Sequence, residues 1–400
     1  MKILQINAVY DKGSTGRTTA EMHDYFLKHG FDSYVASPQF VSSNNRFIKI
    51  GNLFDRKIHA LLSRLFGLQG YFSLHSTKKL IQKINEIDPD VVILRNLHAN
   101  YLNFRALLSY LSDKHKIVFF VLHDSWFYTG KCVYYVKHNC NKWQECCGNC
   151  PAKRNGNISY FLDMSRKVLA DKKRLYAKLD KFVAVGVSQW VENDLHFSIL
   201  KNATLITHIY NWIPFEIFNN MAKSDFRKRY NLVDKFVVLC VASFWDEDKG
   251  FDLVLELLEI LPNDMVIVMV GQCKKEISKD NIIFLGSISK VGELAGLYAG
   301  SDVFLNPTIQ ETFGKTTAEA MSCGTPVVAF RTTANPELIG DDGFCGEYIK
   351  ERTSKSILDA LMIVKSRTKT YYSTNCVIRS KLLFDKESNI KSYIDIFNIL

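Results

Sequence analysis

Glu311, Gly314 and Glu319, within NPTIQETFGKTTAEAMSCGTPVVAF, have the types and spacing to hold a phosphorylated sugar. A β-branched run ends at Asn306-Pro307, Glu311 stands in the loop that follows, and Gly314 opens a helical segment containing Glu319. The start of a helix offers unpaired N–H groups and the positive end of its dipole, and both attract a diphosphate. Glycine at 314 has no Cβ to hold the phosphate away. Glu319 lies about one and a half turns further on, where its carboxylate can accept hydrogen bonds from vicinal ribose hydroxyls. Glu311 can reach a sugar beyond the phosphates. Glutamates usually end up on surfaces without a ligand. Here, however, the small and apolar segment MSCGTPVVAF behind them puts the loop at the carboxyl edge of a sheet, where open α/β folds bind ligands.

The elements that position these residues follow from the apolar runs. Lys2 to Val9, Phe31 to Ala36, PDVVILRN, KIVFFVLHD and KFVAVGVS are compact, β-branched and closed by polar or turn residues. Strands this apolar are covered on both faces, so a parallel sheet with crossover helices is expected. The loop DKGSTG precedes a helix running from Ala20 to Lys28. IYNWIPFEIF breaks the alternation, and KFVVLCVAS, MVIVMVG, NIIFLGS, DVFLNPT and TPVVAF restart it. Four hundred residues suit two such domains better than one core. The expected division is 1–212, with a cysteine-rich loop at 130–155, then 213–385, then a helix at 386–400 packing back on the first domain. The start MKILQINAVY reads as a strand of the fold and not as a leader, and no run of about 18 apolar residues predicts a membrane span. Cytoplasmic residence is the default expectation.

The second half carries a resemblance. Glu311-x-Phe313-Gly314, Glu319-Ala320 and Cys323-Gly324-Thr325-Pro326-Val327-Val328 resemble the donor motif of the family 4 retaining glycosyltransferases of the GT-B fold. GSISKVGELAGLYAGSDVFLNPT, NPELIG and VASFWDEDKG are similar to neighbouring passages of that family. The resemblance implies an α/β, GT-B architecture of two Rossmann-like domains facing each other across a cleft. It implies a nucleoside-diphosphate-sugar donor (UDP or GDP), with Glu311 on the sugar and Phe313, Gly314, Lys315 and Thr316 lining the pocket, chiefly through backbone N–H groups. Glu319 would bind ribose, the backbone of Gly286, Ser287 and Ile288 would edge the base, and Lys249 would neutralise the departing diphosphate. Five residues before this lysine the family usually has an arginine; this chain has Phe244.

The first half contributes the acceptor side. DKGSTGRTTAE is neither a dinucleotide fingerprint nor a Walker sequence. The resemblance implies that its turn faces the diphosphate, making Gly16 and Arg17 candidates. His123 ends the strand KIVFFVLHD at the carboxyl edge, which by resemblance lies near the reaction centre, with His98 in RNLHANYLN a weaker acceptor-side candidate. Retaining members work by same-face displacement in which the leaving phosphate takes the acceptor proton, so neither histidine is implied as a strict base. Catalysis is expected without a metal cofactor.

Five cysteines fall between Cys132 and Cys150. Cys132, Cys140, Cys147 and Cys150 can supply a tetrahedral structural zinc; buried or redox-active thiols are the alternative. This loop resembles that of a bacterial surface-polysaccharide subgroup of the family, including Trp143 and Pro151. The stretch FDRKIHALLSRLFGLQGYF reads either as a core-packed helix or as an interfacial one. Up to Trp212 there are 29 basic against 16 acidic residues, and after it 22 against 25. A basic first half suits phosphate-bearing or membrane-surface partners. Its charges are dispersed and form no compact recognition motif, so nucleic acid is not an expected partner.

The expected function is retaining, metal-independent hexosyl transfer to a glycan or lipid-diphosphate-linked acceptor in bacterial capsule, O-antigen or exopolysaccharide synthesis. Location would be cytoplasmic, with peripheral contact on the inner face of the plasma membrane. A catalytically silent nucleotide-sugar-binding or scaffold protein on the same fold is the alternative.

Overall fold

The computed structural model describes residues 1–39, 44–222, 224–274 and 279–400. The chain divides into a first unit, Met1–Ile209 with Ile390–Leu400, and a second, Tyr210–Asn389. The sequence reading puts these breaks after Trp212 and before Lys386; the structure moves both by a few residues.

The first unit holds strands β1 (Lys2–Ile6), β2 (Asp32–Ser37), β3 (Phe47–Lys49), β4 (Val91–Leu94), β5 (Ile117–Leu122), β6 (Phe182–Gly186) and β7 (Leu205–His208). They form one sheet in the order β3-β2-β1-β4-β5-β6-β7, and every pair is parallel. Its helices are α1 (Gly13–Lys28), α2 (Leu53–Phe66), α3 (Leu74–Ile87), α4 (Phe104–Asp113), α5 (Ser165–Tyr176) and α6 (Gln189–Phe197). β4, β5 and β6 are buried along almost their whole length, as strands covered by helices on both faces must be.

The second unit repeats the design. Strands β8 (Phe236–Phe244), β9 (Met265–Gln272), β10 (Ile282–Gly286), β11 (Val303–Asn306), β12 (Val327–Phe330) and β13 (Gly346–Ile349) form a parallel sheet ordered β10-β9-β8-β11-β12-β13. Around it run α7 (Phe226–Arg229), α8 (Phe251–Ile260), α9 (Val291–Gly300), α10 (Lys315–Ser322), α11 (Asn335–Ile339) and α12 (Ser354–Leu383). The last helix, α13 (Lys386–Ile399), starts in this unit and ends in the first, where Phe397 packs edge-on against Phe119 and beside Phe26.

In both sheets the strand order reverses once, between β1 and β4 and between β8 and β11. The crevice outside the carboxyl ends of those strands is where doubly wound sheets take ligands.

One element departs from its expected bounds in a way that matters. α1 begins at Gly13 and not near Ala20. Hydroxyls carry the helix through the polar stretch: Thr18 and Thr19 donate to the carbonyls of Ser14 and Thr15 (both 2.8 Å), and Asn7 donates to Thr19 Oγ1 (2.9 Å).

Candidate functional site

Each unit brings its own residues to its reversal point. In the second, β8 leads into a single 3-10 turn, Glu247–Lys249, which Asp246 starts by accepting from Lys249 N–H. Gly250 then turns the chain with φ of 72°. A Cβ there would stand 2.5 Å from the carbonyl oxygen of Pro307. Glycine thus lets the β8 turn lie directly against the segment leaving β11. That approach brings Lys249 Nζ to 2.9 Å from Glu311 Oε1. The loop is fixed from its other side, where Glu311 N–H donates to Thr333 Oγ1 (3.0 Å).

Three residues on, Gly314 adopts φ of 83° as the residue before α10. Nothing stands closer than 3.5 Å to its absent Cβ, so the left-handed backbone, not crowding, requires glycine. Lys315 and Thr316 form the partly exposed first turn of α10. Phe313 is buried, edge-on to Phe384 (5.5 Å), so its ring is a packing group and only its backbone faces the loop. Glu319 is 3% exposed and accepts from the hydroxyl of buried Tyr298 (3.2 Å), a partner no local motif announced. Gly286, with φ of 63° and open space about it, ends β10, and Ser287 and Ile288 follow it at the same carboxyl edge. Phe244 is the last residue of β8 and is exposed.

In the first unit, the loops after β1 and β4 flank the reversal and are joined by Asn96 Nδ2 donating to Thr15 Oγ1 (3.1 Å). Gly16 and Arg17 lie inside α1, not in a turn before it. Gly16 still serves close approach: its carbonyl accepts from Asp11 N–H (3.0 Å), and a Cβ would sit 3.2 Å from that nitrogen. Arg17 Nε is buried and makes no hydrogen bond among the described residues.

His98, after β4, and Asp124, after β5, form a pair: Nε2 to Oδ2 is 2.7 Å. Burial raises the Asp124 carboxyl, but His98 and the Trp126 N–H more than offset it and leave it below the usual range. The histidine–carboxylate pair at this edge is therefore built on His98. His123 faces Arg95 instead, at 3.4 Å from Nη1 to Nε2. Arginine only donates, so this bond requires Nε2 as the acceptor. Arg95 is fully buried and also donates to Met22 Sδ (3.1 Å); burial lowers its pKa. Asp124 and Arg95 are what sequence reading underused: each lies within three residues of a flagged histidine, on a strand end whose position was legible.

Cys132, Cys140, Cys147 and Cys150 line one small pocket with Tyr135 and Trp143, and Cys146 is exposed. Among the described residues no three His, Cys, Asp or Glu side chains stand where they could hold a metal ion together. The loop has other supports. Trp143 packs on Tyr128 (5.0 Å) and Tyr135 (5.2 Å), both of whose hydroxyls donate to Asp194 Oδ2. Buried Lys131 and Lys172 bind loop carbonyls at Ala152, Lys153, Trp126 and Thr129.

Two α/β units with parallel sheets and a ligand edge at each reversal define the GT-B fold. The fold recurs in sucrose-phosphate synthase from Thermosynechococcus elongatus (TM-score 0.72, 14% identity, covering 99% of this chain and 98% of that one). It recurs again in Anabaena HepE in complex with UDP and glucose (TM-score 0.66, 15% identity, 100% of both chains). Residues 235–363 match the family model described as glycosyl transferases group 1. N-acetyl-alpha-D-glucosaminyl L-malate synthase of Bacillus anthracis is 27% identical over 179 residues, 41% of this chain and 46% of that protein. A GDP-mannose-dependent phosphatidylinositol dimannoside mannosyltransferase of Mycobacterium tuberculosis is 42% identical over 77 residues, 19% of this chain and 20% of that one. The chain thus spans about half the length, or less, of these curated relatives.

Proposed function

We propose that this protein transfers a hexosyl group from a nucleoside diphosphate to a glycan or lipid-linked acceptor, with retention and without a catalytic metal. The observation that carries the reading is the meeting of Lys249 and Glu311 above the entry to α10. The two loops at the sheet reversal thereby offer a cation, a carboxylate and the N–H groups of a helix start within one small region. A diphosphate would draw Lys249 to its leaving oxygen and take the N–H groups of Lys315 and Thr316. Glu311, released from its ion pair, would accept from the donor sugar's hydroxyls.

In the step itself the bond from the sugar's anomeric carbon to phosphate breaks, and its electron pair stays with the phosphate. The acceptor oxygen bonds to that carbon on the same face, and its proton passes to the leaving phosphate oxygen. Within the first unit, His98, held by Asp124, would orient the acceptor hydroxyl. UDP in the HepE complex and GDP-mannose in the mycobacterial relative's name support a UDP or GDP donor. Relatives named for phosphatidylinositol and O-antigen chains support a lipid- or glycan-linked acceptor in bacterial surface polysaccharide.

A structural zinc on Cys132, Cys140, Cys147 and Cys150 belongs to the same proposal. Thiol chemistry suits it and the four share a pocket, but their present spacing is not that of a ligand set, so loading has to draw them together. Metal analysis of the purified protein tests this, with one zinc per chain expected; zinc-free protein with unmodified thiols would remove it.

The donor is tested by thermal melts with UDP-, GDP- and ADP-sugars. One of them should raise Tm at saturation, since a ligand at about 100 times its Kd stabilises by about 2.7 kcal/mol. No rise with any of them would sink the donor site. A rise without transfer to any acceptor would favour the silent binding protein.

A further inference from the structure

Helix α2 turns a polar side inward: its buried positions are His59 and Ser63, about one turn apart. The hydrogen bonds of His59 are complete. Its Nε2 accepts from Gly70 N–H (3.1 Å), which leaves the ring hydrogen on Nδ1, where it donates to Ser73 Oγ (2.9 Å). Burial pushes its pKa down to about 4, so the ring stays neutral and keeps both bonds. Ser63 is different. It is 6% exposed, yet its hydroxyl has no hydrogen-bond partner among the described residues. Buried hydroxyls nearly always have one, and a helical serine often finds it in the carbonyl four residues back.

Ser63 lines an open polar pocket of the first unit, about 570 Å³ with its mouth counted, which is within the range of small-ligand sites. Gln69, Asn100 and Asn157 line it too. The amide nitrogens are engaged. Gln69 Nε2 donates to the carbonyl of His98 and to Asn157 Oδ1 (2.9 Å), and Asn157 Nδ2 donates to Lys131 O (2.9 Å). Those carbonyls can only accept, which settles which end of each of these two amides is nitrogen. Left over are Gln69 Oε1 and Asn100 Oδ1, buried and without a partner among the described residues. The spare groups are thus two amide oxygens and one hydroxyl. No carboxylate lines the pocket, and of its two cations one is engaged: Lys131 Nζ donates to the carbonyls of Ala152 (3.3 Å) and Lys153 (2.7 Å). The other, Arg64, is exposed. An ammonium group would find no counter-charge there, and a phosphate would meet acceptors where it needs donors. A neutral ligand that brings hydroxyl hydrogens suits these walls, and Ala60 and Ile158 add apolar surface for a ring face.

We propose that this pocket is a subsite for a neutral sugar residue of the acceptor, recognised through its hydroxyls by Ser63, Gln69 and Asn100. Its role as an acceptor subsite rests on the transfer reaction proposed above. Gln69 joins the pocket to the reacting edge, because the backbone it holds is that of His98, the histidine paired with Asp124 (2.7 Å). A sugar seated against Gln69 therefore lies beside the group that would orient the accepting hydroxyl. An acceptor that fills the subsite already carries a sugar. An earlier glycosyl transfer must supply it, and this protein extends a chain rather than starting one.

The test is saturation-transfer NMR on the full chain with the methyl glycosides of glucose, galactose, mannose, rhamnose, N-acetylglucosamine and N-acetylgalactosamine, and with glucose 6-phosphate as the charged comparison. At least one neutral glycoside should bind, and more tightly than glucose 6-phosphate. Ser63→Ala/Asn100→Gly should raise the Kd of that glycoside about tenfold or more, as loss of hydrogen bonds to a ligand does. Glycine replaces Asn100 because the backbone there has φ of 56°. The Tm of this variant should stay close to that of the wild type, since neither Ser63 Oγ nor Asn100 Oδ1 bonds within the described residues. A wild type that binds none of the glycosides, or a variant that binds like it, overturns the proposal. So does a large fall in Tm, which would make the two groups structural, and so does glucose 6-phosphate binding tighter than every neutral glycoside, which would make the pocket a phosphate site. If a nucleotide sugar raises Tm while no glycoside binds, the subsite falls and the proposed function stands. If a glycoside binds through Ser63 and Asn100 while no nucleotide sugar raises Tm, the proposed function falls and the pocket remains a sugar site.

Discussion

The two sheet edges carry their charges in different ways. At the second unit's reversal, a cation from one loop and a carboxylate from the other close on each other, both partly open to solvent. At the first unit's reversal, the two loops are joined by neutral side chains, Asn96 and Thr15, and the ionisable pair His98–Asp124 sits one strand over with a backbone N–H fastening it. A part-exposed ion pair is worth little in water. A ligand that brings its own phosphate and hydroxyls can therefore replace it at small cost. A carboxylate held by a histidine and by the main chain does not exchange in that way. The second edge is built to be opened, and the first to hold a geometry.

Breaking the openable side should have the largest effect. Glu311→Gln should lower transfer about 10³-fold, while Lys249→Ala should lower it about 10²-fold, as loss of single preorganised charges does. Both are read as kcat/KM with the donor varied, and variants with unchanged activity would remove the pair from the site. On the fixed side, Asp124→Asn should cost about 10-fold, the lower end for a residue that orients another. It also has a pH signature. A carboxyl lowered in the folded state adds stability that is complete above its ordinary value of about 4 and is lost as pH falls through the folded-state value. Melts of Asp124→Asn should thus decline less steeply in acid below about pH 4 than those of the wild type; parallel curves would deny the asymmetry drawn here. The smallest change expected is from Phe244→Arg. The position is exposed at the end of β8, so the substitution should fold normally and tighten donor KM by about two- to threefold through one more screened charge. A weaker donor KM would mean that Lys249 already satisfies the diphosphate.

What was legible in the sequence follows the same division. Parallel strands such as Ile117–Leu122 and Val327–Phe330 could be read because burial on both faces makes them continuous apolar runs. The Glu311–Gly314 loop was legible because helix entry and glycine chemistry are local. The start of α1 was hidden, since its first turns are held by Asn7 and by threonine hydroxyls, in a stretch that looks like a turn. The partners Tyr298 of Glu319 and Asp124 of His98 are contacts 21 and 26 residues apart, which no periodicity encodes. In α2 the apolar spacing was plain, and its direction was not. A stripe of Phe, Ile and Leu looks the same whether it faces a core or water, and only the hydrogen bonds of His59 and Asp55 show which side is inward.

The return of the chain to the first unit sets an order on its birth. Phe397 fills a place against Phe26 and Phe119, and Tyr393 is buried in the same unit. As the chain leaves the ribosome, β1 to β7 can assemble early, yet one patch of their core stays uncovered until the whole second unit has been made. The second unit, continuous in sequence from Tyr210 to Asn389, has no such wait. The half translated first is thus the half finished last, and an arrested or clipped chain lacking its final turns would present an aromatic gap to chaperones and proteases.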